Sequence, residues 1–400
     1  MPRGYAPNAV PWCAAVHLKY GTNPHQKYAS VEAIAGGKAP VEALNGAPSL
    51  INFLDALNAW QLVREVRSAL HLPAAASFKH VSPAGAAVAT PLDATLARLY
   101  EVEGKELSPA ALAYVRARGA DPKCSFGDFV ALSDVVDRAT AEFLKGVVSD
   151  GIIAPGYETS ALEILKAKKT GSFIVIQADA SFEPPPREAR EIFGVRLTQD
   201  RNDHRVSPAD LRDVKVGALT DDATRDLVLG LITLKYTQSN SVAYALGGQM
   251  IGIGAGQQSR VDCTKLAGSK ADIWQLGRHP KVLELAFKPE VKRQDRINFR
   301  IRYIEGDLTR EEQALFSAAL ASPADPLTDA EKKAFLANVS GVSLVSDGFI
   351  PFRDNIDHAA KHGVRFIAEP GGSTRDADVE AACREYGIAL AHTHVRLFHH

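Results

Sequence analysis

Lys79 and His80 stand side by side in the run Phe78-Lys-His-Val-Ser-Pro-Ala-Gly85, where an apolar stretch meets a Pro/Gly turn. An ammonium beside an imidazole disfavours protonation of the ring, so the pairing predicts a neutral His80 able to accept a proton near neutral pH. Lys79 is then left to face developing negative charge. One group that removes a proton and another that stabilises an oxyanion together suit acyl-type transfer. A Lys-His pair at a strand end is also common surface punctuation, and the surrounding motifs decide between the two.

Gly252-Ile-Gly-Ala-Gly256 reads G-x-G-x-G, neither the G-x-G-x-x-G of a dinucleotide fold nor a Walker loop. Its glycines either admit close packing at a strand end or approach a ligand, and Arg260 within one turn tilts the reading toward an anion contact. The stretch Leu18–Gln26 gathers Lys19, Tyr20, Asn23, His25 and Gln26, a composition that a solvated loop also explains. Thr237-Gln-Ser-Asn-Ser241 follows an apolar helix and is either its polar end or an amide- or cation-recognising cluster. Phe349 and Phe352 beside Asp354 are core aromatics, or a sandwich for a flat heterocycle whose polar edge meets Asp354. Ser373, in a glycine turn before a helix, is a cap or an anion contact. The zinc-deaminase signature H-x-E…P-C-x-x-C is absent, which disfavours metal-dependent deamination.

The elements that must position these groups alternate between strand and helix patterns, which predicts an α/β architecture. Apolar residues from Phe53 to Leu70 recur at three- and four-residue steps and predict a helix over 52–70. Strands are expected at Ala74–Phe78, Phe129–Leu132, Ile152–Ile153, Phe173–Gln177 and Gln249–Ile253, with a long apolar helix at Asp221–Lys235. Val364–Ala368, a helix over Arg375–Tyr386 closed by Gly387, and Ile388–His392 make a βαβ unit, so part of the sheet is parallel. Residues 181–191 are expected to be an irregular connection between subdomains, and 305–335 a peripheral helical insertion.

Lys plus Arg total 46 against 47 Asp plus Glu, with no block of like charge, so nucleic acid and anionic membrane are poor partners. No apolar run reaches the roughly 18 residues of a membrane span. The N-terminus lacks the charged and apolar regions of a signal peptide. Cys13, Cys124, Cys263 and Cys383 are scattered, as expected of reduced thiols in a cytoplasmic protein.

Taken in order, the runs L-K-Y-G-T-N-P-H-Q, A-S-F-K-H-V-S-P-A-G-A-A, S-F-G-D-F-V-A-L-S-D, V-S-D-G-I-I-A-P-G-Y-E, L-K-Y-T-Q-S-N-S-V, G-I-G-A-G-Q-Q-S-R, F-I-P-F-R-D-N and R-L-F-H-H resemble the AICAR transformylase family, the folate-dependent formyltransferase half of a bifunctional purine-biosynthesis protein. The resemblance runs over residues 16 to 400. It implies two cytidine-deaminase-like subdomains without zinc: 1–180 carrying the Lys-His pair, 181–275 with 326–400, and a helical insertion at 276–325. It also implies an intertwined homodimer with active sites at the interface, and formyl transfer from 10-formyltetrahydrofolate to the 5-amino group of AICAR. A non-catalytic purine-nucleotide-binding or sensor protein on the same scaffold is the competing expectation.

By resemblance, Lys79, His80 and Asn240 are catalytic. Lys19, Tyr20, Gly127, Asp150, Arg260 and Arg396 contact the nucleotide. Val261, Phe349, Pro351, Phe352, Asp354 and Ser373 form the folate pocket. Some relatives hold potassium near the counterparts of Thr237, Ser239, Ser241 and Asp347. Two departures stand out. Lys19 replaces the usual Arg, exchanging a bidentate fork for a point charge. The cyclohydrolase domain that normally precedes this region is missing from the sequence, which leads us to expect a stand-alone formyltransferase with a separate cyclohydrolase in the pathway.

Overall fold

A computed structural model describes residues 16–34 and 39–400; the N-terminal segment and Cys13 lie outside the described residues. Two short strands, β1 (Val16–His17) and β2 (Ser30–Val31), pair ahead of the main body. The first large sheet contains β3 (Val41–Asn45), β4 (Ala74–Lys79), β5 (Ser82–Val88), β6 (Asp128–Leu132), β7 (Ser149–Ala154) and β8 (Ile174–Ala178). After the hairpin β9 (Arg187–Ile192) and β10 (Val195–Asp200) comes the second. It contains β11 (Asp213–Val216), β12 (Val242–Ala245), β13 (Met250–Gly254), β14 (Val342–Ser346), β15 (Val364–Glu369) and β16 (Ala389–His392).

The sheets share one topology. Their orders are β3-β8-β7-β6-β4-β5 and β11-β16-β15-β14-β12-β13, so each half runs 1-6-5-4-2-3 in its own strand count. The middle pairs are parallel and the outer ones antiparallel in both. This is the expected α/β fold of two like subdomains. Central strands such as A-A-A-S-F-K and D-F-V-A-L are buried along nearly their whole length, because helices cover both faces.

Helix Leu50–Leu70 starts at a Ser49/Asn52 capping box and stops at His71 in left-handed geometry before Pro73. It packs against helix Asp221–Lys235, each on the inner face of its own sheet, and the largest core cluster runs through both. The outer faces are covered by helix Pro109–Gly119 in the first half and helix Arg260–Leu276 in the second. The sheets also meet at their edges: Ala87 of β5 bridges Gln249 antiparallel, and the Val88 N–H donates to Gly248 O at 2.9 Å. Antiparallel passage sends the Gly254–Gly256 end of β13 toward the end of the molecule that carries the β4–β5 turn.

Three expectations change. Ser82–Val88 reads as a Pro/Gly turn but forms β5: Pro83 lies next to a register shift opposite Ser77/Phe78, where a missing N–H is tolerated. The connection expected over 181–191 gives way at Arg187 to the β9–β10 hairpin, paired from Ile192↔Val195 to Arg187↔Asp200. The helical insertion, with its own core around Val282, Tyr303, Phe316 and Leu327, continues to helix Asp329–Leu336, past the boundary at 325 that the resemblance implies and close to the 335 read from the charged helical pattern. Among the described residues no helix is long and apolar enough to cross a membrane.

Both edge strands contain a glycine that lets a helix approach. A Cβ on Gly85 would overlap the carbonyl oxygen of Ala117, and one on Gly252 that of Ala267. Gly85→Ala should therefore destabilise the fold by about 1–3 kcal/mol in chemical denaturation, as overpacking does. Gly156→Ala, whose methyl would meet only Val135 at 3.6 Å, should leave the midpoint unchanged. Equal midpoints for the two variants would refute the close strand–helix contact.

Candidate active site

The Lys79–His80 pair sits at the β4–β5 turn. Lys79 pairs with Ser82, leaving a two-residue loop of His80 (φ 53°) and Val81 (φ 61°), both left-handed. That is the hairpin geometry for which Asn-Gly or Gly-Gly is preferred. The second half uses the expected chemistry at the matching place: Leu246 and Gln249 close a turn over Gly247 (φ 64°) and Gly248 (φ 81°). A left-handed non-glycine residue costs roughly 1–2 kcal/mol, so His80 and the β-branched Val81 together store about 2–4 kcal/mol.

Asp55 holds this turn in place. Its Oδ1 accepts the Val81 N–H at 2.6 Å, and its side chain is buried on helix Leu50–Leu70. Asp55 is the sixth residue of that helix, and Asp226, the sixth residue of helix Asp221–Lys235, accepts the N–H groups of Gly247 and Gly248 at 2.7 and 2.6 Å. The same acid thus secures the same turn in both halves. Burial pushes both carboxyls up, against the pull of the N–H donors, of Arg225 beside Asp226 and of Lys79 near Asp55. Sequence reasoning missed Asp55. The available signal was an acid on the buried stripe of an amphipathic helix, between Phe53 and Ala56.

Around the turn, Lys79 Nζ donates to Phe126 O and lies 6.0 Å from the Phe126 ring centroid. The space above Gly127 (φ 74°) is bounded by Lys79 Nζ and Asp150 Oδ2, so Lys79, Gly127 and Asp150 are neighbours. Lys169 pairs with Asp150 at 2.8 Å in a largely exposed bridge. His80 is exposed. Beneath them Arg118 and Asp128 form a buried pair at 2.8 Å, joined by Ser77 and Tyr114. Arg118 Nη2 and the Gly127 N–H both donate to Val148 O, which ties this floor to the glycine turn. A cavity of about 390 Å³ opens beside Phe126, walled by Lys123 and, from the insertion, Asn298, Phe299 and Arg302. None of these four figured in the sequence reading.

The remaining expected residues gather elsewhere. Asn240, which follows a cis Ser239–Asn240 peptide, receives Arg260 Nη2 on Oδ1 at 2.8 Å. Arg260 Nη1 reaches Asp347 Oδ1 at 2.5 Å and Ser346 Oγ at 2.8 Å. Arg260 thus differs from the open anion contact expected of it: its guanidinium is buried, its charge is met by Asp347, and it orients Asn240. The glycine motif is corrected in the same way. Cβ atoms on Gly252 and Gly254 would overlap helix Arg260–Leu276, so those glycines serve packing, whereas Gly256 (φ 67°) is needed for its left-handed backbone and has only the Gln238 side chain, at 3.7 Å, near its Cβ position.

Ser239 Oγ and the Ser241 N–H both donate to Asp347 Oδ2, and the Ser241 hydroxyl is buried without a partner. The Thr237 hydroxyl turns back to Thr233 O at 2.7 Å. Over this cradle lies the irregular C-terminal segment: Ser239 N–H donates to His399 O, Leu397 N–H to Asp347 O, and Phe398 borders Gly348 beside Arg260. Burial lowers the His399 imidazole, and Arg190 of the β9–β10 hairpin adds to the effect. Arg396 stacks over Phe398 at 4.7 Å. Val261 opens the helix beside Arg260. Phe349 and Phe352 are exposed on either side of Pro351, and Asp354 follows two residues later at the start of helix Asp354–Ala360. Glu369, also unforeseen, accepts the N–H groups of Ile350 and Gly371, joining the Phe349 loop to the Ser373 loop. Among the described interactions none joins this cluster to Lys79 or His80, and none joins Lys19 or Tyr20 to either.

This chain belongs to the AICARFT/IMPCHase bienzyme family, whose model matches residues 6–270. It is 30% identical over 389 residues to the bifunctional purine biosynthesis protein PurH of Magnetococcus marinus, covering 96% of this chain and 59% of that protein. To PurH of Neisseria meningitidis serogroup C it is 29% identical over 394 residues, covering 97% and 59%. It spans 59% of the length of these relatives.

Asp55→Ala leaves the Val81 N–H without its acceptor and should cost about 1–3 kcal/mol of stability. Asp55→Asn keeps an acceptor oxygen and should recover most of that. Identical denaturation midpoints for wild type and Asp55→Ala would mean the carboxylate does not hold the turn.

Proposed function

We propose that this chain transfers a formyl group from 10-formyltetrahydrofolate to the 5-amino group of AICAR, giving FAICAR and tetrahydrofolate. The observation that carries the reading is the Lys79–His80 turn, left-handed at two non-glycine positions beside Gly127 and Asp150. Backbone strain persists where surrounding structure over-determines it, and it concentrates at functional sites.

The acceptor amine is conjugated with an electron-poor imidazole carboxamide and is a weak nucleophile. In the proposed step its nitrogen adds to the formyl carbon while His80 takes the amine proton. Lys79 stabilises the resulting oxyanion and assists protonation of N10 as the carbon–N10 bond breaks. Asn240, held by Arg260, orients the carboxamide. Lys19, Tyr20, Gly127, Asp150 and Arg396 contact the nucleotide, with Arg260 acting through Asn240. Val261, Phe349, Pro351, Phe352, Asp354 and Ser373 hold the folate, and the cavity beside Phe126 gives it room next to Lys79. A potassium ion fits the cradle of Thr237, Ser239, Ser241 and Asp347, where the orphaned Ser241 hydroxyl lacks a partner; it would supply a fixed charge that orders the loop.

The proposed site is shared between two copies of the chain. Two features support this: the expected residues fall into two clusters, and the β9–β10 hairpin presents Ile192, Val195 and Leu197 on one face with Phe193 at its tip, all exposed. A two-stranded hairpin is marginal alone and gains by covering such a face. We take the setting to be cytoplasmic.

His80→Ala should lower kcat by roughly 10²–10⁴-fold, the usual share of a positioned base, with nucleotide binding little changed. Tetrahydrofolate absorbance follows the reaction, and near wild-type kcat in that variant would remove His80 from the mechanism. Mixing refolded His80→Ala and Asn240→Ala chains should restore about a quarter of wild-type activity by statistical pairing, because one site of each mixed dimer regains both residues. No recovery in mixed dimers isolated with two distinct tags would assign both clusters to one subunit.

A further inference from the structure

A second cavity, of about 200 Å³, lies where helix Arg293–Glu305 of the insertion crosses helices Pro109–Gly119 and Arg260–Leu276. Its walls are mostly apolar, with Leu99, Val115, Phe143, Ile273, Trp274 and Ile301 among them. Arg293 and Arg300 line it as well. These two and Arg296 converge on one carboxylate, Glu101, at 3.3, 2.8 and 2.8 Å. Three guanidiniums against a single acid leave two positive charges in excess, and they hold the Glu101 carboxyl down at about 2 against its burial.

The other cations lining the cavity are matched one to one. Arg118 pairs with Asp128 at 2.8 Å, Lys270 with Asp121 at 2.9 Å, and Lys123 with Glu305 at 3.2 Å. Arg300 is different again: its Nε is buried and has no hydrogen-bond partner. Buried donors are nearly always satisfied, so the orphan N–H shows that Arg300, which lines the cavity, keeps donor capacity the chain itself leaves unused. An apolar chamber, surplus positive charge and a free guanidinium donor are together the complement of an amphipathic anion.

We propose that this cavity binds a small organic acid with one or two apolar rings, its anionic head on Arg300 and Arg293 and its rings between Trp274 and Phe143. The size agrees, since an apolar cavity of about 150 Å³ accommodates benzene. The site is separate from the one around Lys79, and the two cavities share Lys123 alone. They do use one helix between them. Ile297, Arg300, Ile301 and Ile304 form the stripe facing the acid site, and Asn298, Phe299 and Arg302 turn toward the cavity beside Phe126. An occupant would therefore brace the helix that walls the catalytic end.

The test is titration of the full chain with 1-naphthylacetate by calorimetry and by quenching of Trp274 fluorescence, with Trp274→Phe as the control. Saturable binding of one molecule per chain is expected. The neutral analogue 2-(1-naphthyl)ethanol should bind at least about ten-fold more weakly, since it lacks the charge-assisted contact. Arg300→Gln should weaken 1-naphthylacetate by a similar factor, and Ile301→Trp, which fills the chamber, should abolish binding. No saturation at millimolar probe, equal binding of the neutral analogue, or unchanged binding in folded Ile301→Trp would each overturn the proposal. The comparison of the two probes uses the wild-type chain and does not depend on any variant folding.

Discussion

One short hydrogen bond, from the Val81 N–H to the Asp55 carboxylate, governs what this chain presents at the end of β4. Two consecutive left-handed residues are an unfavourable backbone state for His80 and Val81, by roughly 2–4 kcal/mol. A hydrogen bond to a carboxylate is worth about 1.5–3 kcal/mol, comparable in size. The balance is close enough that the turn persists, and with it the placement of Lys79 over Phe126 and Gly127. The buried Arg118–Asp128 pair below fixes the opposite wall through Val148. Lys79 and His80 thus sit at the end of a buried strand, over supporting side chains, Asp55, Arg118 and Asp128, that are themselves buried.

The internal duplication explains where this device comes from and how the two halves diverged. In both, the sixth residue of the first long helix is an acid that secures the turn between the second and third strands. In the second half the turn is Gly247-Gly248, relaxed, and used to join the sheets through Val88 and Gln249. In the first half the same turn carries side chains, and strain comes with them. The second half places its polar chemistry at the opposite junction, where helix Asp221–Lys235 enters β12. There Arg260 holds Asn240 and Asp347, and the C-terminal segment bonds Ser239 and Asp347 beside it. Each half therefore contributes one polar cluster, from different ends of the same supersecondary unit.

Much of this was legible in the chain. Helix Asp221–Lys235 begins and ends where expected, since Thr220 caps it and the polar run at Tyr236 stops it. The core strands announced themselves as short β-branched and alanine runs, and the Lys-His motif marked the turn. What stayed hidden depended on tertiary partners. Pro83 and Gly85 suggest a turn until the neighbouring bulge and the close approach of helix Pro109–Gly119 are known. Pro184–Pro186 masked the hairpin that follows them. The two like halves were expected only through the family resemblance, because they share topology while turn residues such as His80-Val81 and Gly247-Gly248 are not alike. Arg260 looked like a ligand contact because nothing local reveals that Asp347, far along the chain, neutralises it.

The central claim is that the Asp55 carboxylate places Lys79 and His80, the pair proposed to be catalytic. It is tested most directly by the single-turnover rate of formyl transfer at saturating substrates in Asp55→Ala and Asp55→Asn, with nucleotide affinity measured alongside. A misplaced catalytic group costs on the order of 10²-fold, so the account predicts a loss of that size in Asp55→Ala, unchanged affinity, and recovery in Asp55→Asn. A wild-type rate in folded Asp55→Ala would contradict it.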